Sequence, residues 1–431
     1  MLFEVGEFCD RVDSDLAGLV DELQELTGRF GDTEKLAWAR SLPKLSVVLA
    51  KPELESFHLS LNDPGAVALE YRLPASSSWC DAVLLGRGNE RPCAVILELK
   101  DWELTGDRPG PREALVIHQG REELHPSDQV RGYVEYCQRF HSTVHDANAD
   151  VHGCVFFVSR VHADAYRAIP HDQLTATYPV FTGADEDVSQ KFVPFLRERL
   201  VQPDMEFARA FDAGTYRQDR NFIRQIAHAI QEAPESPFVL LDEQRRGYEY
   251  CLDRIDRLLK NVTDEKLVII IQGPPGSGKS VLAAHLWAAL AKDRRISGNV
   301  VFATTSGCQR KNWEHLFENL AHTHAGRGVV LPANRFNPGL SAKWVKDQRT
   351  KGEPMRVSDW HRNLEVFSRQ KRPKIDDNTF EITVVDEAHA LIDPTAPGAE
   401  GVPPSGWSMH AGPQAWHIIR CSRVSVFLMD S

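Results

Sequence analysis

Two carboxylates and an amine lie close together in WCDAVLLGRGNERPCAVILELK, residues 79–100: Asp81, Glu98 and Lys100. Runs 80–86 and 93–100 read as β-strands around the polar turn 87–92. A hairpin closed on that turn sets 86 opposite 93, and therefore Asp81 opposite Glu98, with Cβ atoms about 4.5–5.5 Å apart. A one-residue slip in the turn would change that register. Lys100 lies two residues beyond Glu98, on the same face. Like charges opposed on an apolar hairpin repel, and a hard divalent cation with oxygen ligands relieves the repulsion. Mg2+ held by Asp81 and Glu98 would acidify a bound water and stabilise a phosphate under attack, with Lys100 orienting the water or offsetting charge. A solvent-facing hairpin with ordinary acidic residues is the alternative. Downstream, HPSDQVRGYVEY sets Gln129 and Tyr133 four residues apart on one face of a helix predicted at about 126–140. Tyr133 also suits a core aromatic position.

A second constellation begins at residue 273. Gly273, Pro274, Pro275, Gly276, Ser277, Gly278, Lys279 and Ser280 satisfy the phosphate-loop pattern G-x-x-x-x-G-K-[ST]. The glycines let backbone N–H groups turn inward onto phosphate oxygens, and the following helix points its positive end there. Lys279 would neutralise the terminal phosphates and the Ser280 hydroxyl would ligate Mg2+. In VVDEAH, Asp386 ends an apolar run, where it can hold the Mg2+ shell, and Glu387 is placed to orient and deprotonate a water. Gln244, upstream in LLDEQRRGYEY, offers an amide that can read adenine's donor and acceptor; a solvated helix position fits it equally. ATP is the nucleotide expected.

The elements that must carry these groups alternate. DSDLAGLVDELQEL has apolar residues at helix spacing, and a second helix is predicted over TEKLAWARSLPKLSVVL, interrupted near Pro43. Short β-like runs follow at VALEYRLP, CDAVLLG, CAVILELK and GCVFFVS. In the second half KLVIIIQG reads as a buried parallel strand feeding the glycine loop. Further strands are expected at 299–306, 380–387 and 423–430, and a mobile loop at 391–415, rich in Pro and Gly.

Bulk properties narrow the class. The 431 residues suggest two or three domains, and 42% hydrophobic with 26% charged is ordinary soluble composition. Net charge of −11 means that contact with nucleic acid has to come from local basic patches. CQRKNW (308–313) and RQKRPK (369–374) are two such stretches, although solvated loops have the same composition. No apolar run spans a membrane, and the acidic start MLFEVGEFCD is unlike a signal peptide. Eight scattered cysteines contain no C-x-x-C pair, so neither a zinc site nor a disulfide framework is expected. The expectation is a cytosolic protein.

FVLLDEQ, the phosphate loop, VVDEAH and GPQAWHIIRCSRVSVFLMD together resemble the Schlafen group 3-type DNA/RNA helicase domain, close to superfamily 1 helicases. That resemblance covers about 238–431. It implies that Gln244 reads adenine, that Lys279 and Ser280 bind phosphate and Mg2+, and that Asp386 and Glu387 act at the hydrolytic site; His389, within DEAH, is expected to couple ATP and nucleic-acid states rather than to bind metal. The family's second RecA-like lobe, with its arginine fingers, does not occur before Ser431. The resemblance therefore implies ATP binding with weak hydrolysis, unless a separate chain or self-association supplies that lobe. D-x16-E-x-K on a β-hairpin, with Gln129 and Tyr133 beyond it, resembles the PD-(D/E)XK nuclease core of the RecB-like branch. Glu34 resembles the acidic residue of its first motif, although a helix-capping or surface glutamate fits it nearly as well, and SSSWCD departs from the family in lacking a proline before the aspartate.

The expected architecture is α/β. Residues 1–200 form a restriction-endonuclease-like α/β/α core, 201–237 a helical linker, and 238–431 a RecA-like parallel-sheet P-loop NTPase domain, first lobe only. The function expected is a Mg2+-dependent nuclease, for DNA rather than RNA, joined to an ATP-binding helicase-like domain. By analogy of fold its setting would be bacterial anti-phage defence or DNA repair. The alternatives are an ATP-responsive nucleic-acid-binding protein with an idle nuclease fold, and an inactive fragment of a longer helicase–nuclease.

Overall fold

A computed structural model describes the chain except residues 30, 59–63, 75, 77, 159–161, 233–239, 241, 261–264, 322–328, 337–375 and 394–412. RQKRPK and most of the expected 391–415 loop lie outside the described residues. The chain divides into two compact units, Met1–Tyr216 and Arg217–Ser431.

The first unit is built on a six-stranded sheet in the order β1-β2-β3-β4-β8-β9. Its strands are β1 (Leu2–Glu4), β2 (Ala66–Arg72), β3 (Trp79–Arg87), β4 (Pro92–Lys100), β8 (Asp150–Phe157) and β9 (Val180–Thr182). The first four run antiparallel, whereas β4–β8 and β8–β9 are parallel. A small separate sheet, β5 (Arg108–Pro109), β6 (Leu115–His118) and β7 (Arg121–Leu124), is inserted after β4. Alternation along the strands sends Val67, Leu69, Ala82, Leu84, Val95 and Leu97 into one core, shared with α1 (Val5–Thr27) and α2 (Asp32–Leu49).

Helix α2 is continuous through Pro43, contrary to the expected interruption. Its face of Trp38, Leu42, Leu45 and Leu49 is buried in the core. Four such side chains stabilise by roughly 1.5–3 kcal/mol each, against about 3 kcal/mol for an interior proline.

The opposite face of the sheet carries α3 (Pro126–Phe140). His125 caps that helix by accepting from the Ser127 N–H at 3.1 Å. Gly153 of β8 decides how close α3 comes: a Cβ there would run into the Val130 and Val134 methyls. Because β-branched side chains turn stiffly, the helix itself would have to move. Gly153→Ala is expected to cost about 1–3 kcal/mol, read as a lower unfolding midpoint in denaturant. An unchanged midpoint would mean that the contact is not tight.

In the second unit the sheet order is β10-β14-β13-β11-β12 and every pairing is parallel. Its strands are β10 (Leu267–Gly273), β11 (Asn299–Thr304), β12 (Val330–Pro332), β13 (Phe380–Asp386) and β14 (Ser422–Asp430). This is the parallel-sheet arrangement of a RecA-like P-loop domain. Strand β10 is not buried on both faces as expected. Among the described residues it pairs only with β14, at the sheet edge, and leaves Val268 41% and Ile270 61% exposed. Of the stretch expected as a linker, residues up to Tyr216 fall in the first unit and Arg217–Glu232 in the second. Helix α4 (Met205–Asp212) packs on β2 and β3, while α5 (Arg220–Glu232) lies along α7 (Lys279–Lys292). Helix α6 (Asp242–Lys260) precedes β10. No described helix is long and apolar enough to cross a membrane.

Candidate functional site

The β3–β4 hairpin pairs Ala82 with Leu97 through to Arg87 with Pro92, the register that sets Asp81 opposite Glu98. Since Ala82 and Leu97 point into the α1–α2 core, Asp81, Glu98 and Lys100 point toward α3. Asp81 accepts the Leu99 backbone N–H at 2.7 Å through Oδ2. The Lys100 ammonium donates to Glu98 Oε1 at 2.6 Å and to Gln129 Oε1 at 3.4 Å. Gln129 in turn donates from Nε2 to the Tyr133 hydroxyl at 2.7 Å. The structure thus brings Glu98, Lys100, Gln129 and Tyr133 into one hydrogen-bonded chain with Asp81 beside it.

Charge is crowded here. Glu98 is 2% exposed, and its Oε2 is buried with no hydrogen bond. Burial first, and the Asp81 carboxylate second, push the Glu98 carboxyl up to about 8. Asp81 is raised as well, chiefly by burial. Burial alone would lower Lys100, but Glu98 and Asp81 outweigh it and hold the ammonium charged. An orphaned carboxylate oxygen among other oxygens, with a surplus of buried negative charge, fits a hard divalent cation.

Sequence reasoning missed a third carboxylate. Glu70 on β2 sits between Leu69, opposite Ala82, and Tyr71, opposite Cys80, which makes it the neighbour of Asp81 on the next strand. Its φ of +45° breaks the strand's alternation. There its carboxylate accepts from Trp38 Nε1 at 2.7 Å and from Arg29 at 3.4 Å. Burial and then Asp81 raise its carboxyl to about 8. The only sequence signal was an acidic residue inside the apolar run VALEYRLP. Glu34 stands at the start of α2, 4.0 Å from Arg29 and with its side chain 47% exposed.

These shifts give a pH dependence with a definite sign. Unfolded, Glu70 and Glu98 lose their protons near 4.5; folded, they keep them until about 8. The unfolded state therefore binds fewer protons across that window, and these groups make the fold less stable as pH rises from about 4.5 to about 8. Glu98→Gln is expected to gain thermal stability over wild type on going from pH 5 to pH 8, by at least about 3 °C. Millimolar Mg2+ or Mn2+ at pH 8 should raise the wild-type midpoint and leave Glu98→Gln unmoved. A pH-independent difference between the two would contradict the assignment of buried charge.

The second constellation gathers where β10 meets α7. Gly276 and Gly278 have φ of +79° and +78°, the left-handed backbone a phosphate loop needs. The Lys279 ammonium lies inside that loop. It donates to the carbonyls of Gly273 and Pro274 at 3.0 and 2.8 Å and pairs with Asp430 at 2.8 Å. Ser280 donates its hydroxyl proton to Asp386 Oδ1 at 3.0 Å, which leaves Oδ2 buried without a hydrogen bond. Burial raises the Asp386 carboxyl. Glu387 takes a left-handed backbone, φ +56°, rare outside glycine and typical of functional turns. The serine, lysine and both acids of the nucleotide pattern therefore converge on one end of the parallel sheet.

Residues 266–431 match the Schlafen group 3, DNA/RNA helicase domain. Among curated proteins none matches the chain.

Within the matched Schlafen-type region three further groups enter the site. Asp430, at the end of β14, stands opposite Gly273 and is the carboxylate that holds Lys279. His389 lies between acids, its Nε2 3.3 Å from Glu387 and its Nδ1 3.8 Å from Asp430. Gln309 donates to the other Glu387 oxygen at 3.2 Å. Among the described residues, Glu387, His389 and Asp430 form the one set of three acidic, histidine or cysteine groups whose ligand atoms lie within 4.8 Å of one another. Gln244, just upstream of the match, donates to the Ser277 carbonyl at 2.7 Å and lies against Gly278, where any side chain would collide with its amide. Of CQRKNW, Arg310 pairs with Glu314 at 3.7 Å.

Proposed function

We propose that this protein is a metal-dependent nuclease joined to a nucleotide-binding, helicase-type unit, acting on DNA before RNA. The observation that carries the reading is Glu98 Oε2, buried and unbonded on a carboxylate whose other oxygen accepts from Lys100 and which feels the charge of Asp81. Asp81 and Glu98 would hold Mg2+ through oxygen. Once bound, the ion would acidify a water and screen the phosphate's charge. Lys100 keeps its ammonium at the same place, where it can hold the attacking water or the phosphate oxygens. Gln129 accepts from Lys100 while donating to Tyr133, a contact that would help orient the lysine.

In the other unit ATP is the nucleotide that Lys279 and Ser280 suit, with Asp386 as the second holder of Mg2+. Glu387, set by Gln309 and His389, is the group that would orient and deprotonate the water. Gln244 would read the base after releasing the loop carbonyl it now holds. Nucleotide occupancy would then govern access to, or movement of, nucleic acid, a combination suited to defence against invading DNA or to repair. The test is incubation with supercoiled plasmid, single-stranded DNA and RNA, with and without Mg2+ and ATP. Metal-dependent cutting that Asp81→Ala abolishes is expected. ATP-gated binding without any cutting would replace this reading with that of a regulatory nucleic-acid-binding protein.

A further inference from the structure

The chain between Lys100 and Gln129 makes the small β5–β6–β7 sheet, and this insertion returns a histidine to the neighbourhood of the lysine. Trp102 lies 5.4 Å from the Lys100 ammonium, measured to its ring centre. On Trp102 the His118 ring is stacked, centroids 4.2 Å apart and planes within 17°. His118 Nδ1 meets Asp107 Oδ2 at 2.8 Å. Asp107 is enclosed and also accepts the Tyr166 hydroxyl at 2.7 Å and the Gln119 N–H at 3.0 Å. Burial would raise its carboxyl, but the bonds from His118, Tyr166 and Gln119 lower it below the usual range, so it is ionised. An ionised carboxylate only accepts, so Nδ1 carries the hydrogen and Nε2 is the atom left for a ligand. Among the described residues nothing bonds Nε2, and the side chain is 13% exposed.

Tying down the β6–β7 turn does not require this arrangement. The Asp107 bond to the Gln119 N–H already does that, at a turn where Gln119 and Gly120 have positive φ. A histidine fixed at one nitrogen, backed by an indole and open at the other, is a preorganised contact for an anion. With a proton on each nitrogen, Nδ1–H stays on Asp107 and Nε2–H is the donor an anion would take. We infer that His118, set by Asp107 and Trp102, binds a backbone phosphate next to the one placed at Asp81, Glu98 and Lys100. His118 is thus a substrate-contacting residue of that site, and the inference rests on the nuclease reading.

The experiment measures initial rates on a fluorescein-labelled 20-nucleotide single strand with Mg2+, across a salt series, using the full chain. His118→Ala is expected to raise KM about tenfold and to change kcat by less than about threefold. The slope of log KM against log salt should become shallower by about 0.7, the loss of one single-strand phosphate contact. His118→Gln, which still bonds Asp107 without charge, should give the same slope, and His118→Arg should restore the wild-type slope. A structural role would lower the melting temperature without moving the slope. If wild type cuts and both neutral variants keep its KM and slope, this inference fails alone. If wild type cuts no nucleic acid, the nuclease reading fails and His118 goes with it.

Discussion

Lys100→Met is expected to reduce metal-dependent cleavage at least about 10³-fold, with Asp81→Asn and Glu98→Gln close behind. The reasoning runs from the sheet outward. Antiparallel pairing sets Asp81 and Glu98 side by side on adjacent strands, and a two-residue step keeps Lys100 on their face. Lys100 bonds Glu98 and Gln129 simultaneously, so removing its ammonium withdraws one positive charge from a buried acidic site and leaves the Gln129 amide oxygen without its lysine donor. Methionine keeps the length of the side chain and its apolar packing, so the loss should fall on chemistry and not on folding. In the apo-protein Lys100→Met leaves two buried acids less compensated. Its stability should therefore fall with pH more steeply than that of wild type, whereas Glu98→Gln moves the other way. Cleavage within tenfold of wild type in a folded Lys100→Met protein would remove this site from the mechanism.

Parts of this arrangement were readable in the sequence because they are local. The hairpin register followed from one turn and two apolar runs, and the face shared by Glu98 and Lys100 from the period of two. Gln129 and Tyr133 followed from helical spacing, and the phosphate loop from its own pattern. What escaped depends on chain folding back on itself. Glu70 joins Asp81 only because β2 pairs with β3, and it reaches Trp38 only through a left-handed backbone that no propensity signals for glutamate. Asp107 and His118 lie eleven residues apart in a stretch whose short strands carry no clear alternation, and Tyr166 completes their contact from 59 residues away. Continuity of α2 through Pro43 is likewise tertiary: the packing of Trp38, Leu42 and Leu45 outweighs a local helix breaker. The exposed face of β10 has the same origin, since an apolar run does not reveal whether its strand is central or at an edge.

Lys279→Ala is expected to weaken binding of ATP or a slowly hydrolysed analogue by about 10- to 150-fold, the range for losing a hydrogen bond to a charged group. Equilibrium titration with a fluorescent analogue reads it directly. The Lys279 ammonium already occupies the mouth of the loop, donating to Gly273 and Pro274 carbonyls and paired with Asp430. An incoming phosphate therefore has to displace a carboxylate, not just water. This predicts an asymmetry between the two partners of the pair. Asp430→Asn frees the lysine and should tighten nucleotide binding, by no more than about fivefold because Asp430 is one-third exposed. Asp430 also neighbours His389, whose other nitrogen is 3.3 Å from Glu387. Nucleotide entry that draws Lys279 from Asp430 thus alters the charge beside His389 and, through it, the Glu387 carboxylate. Should Asp430→Asn weaken binding as Lys279→Ala does, Asp430 would be a ligand-holding group and not a competitor for the lysine.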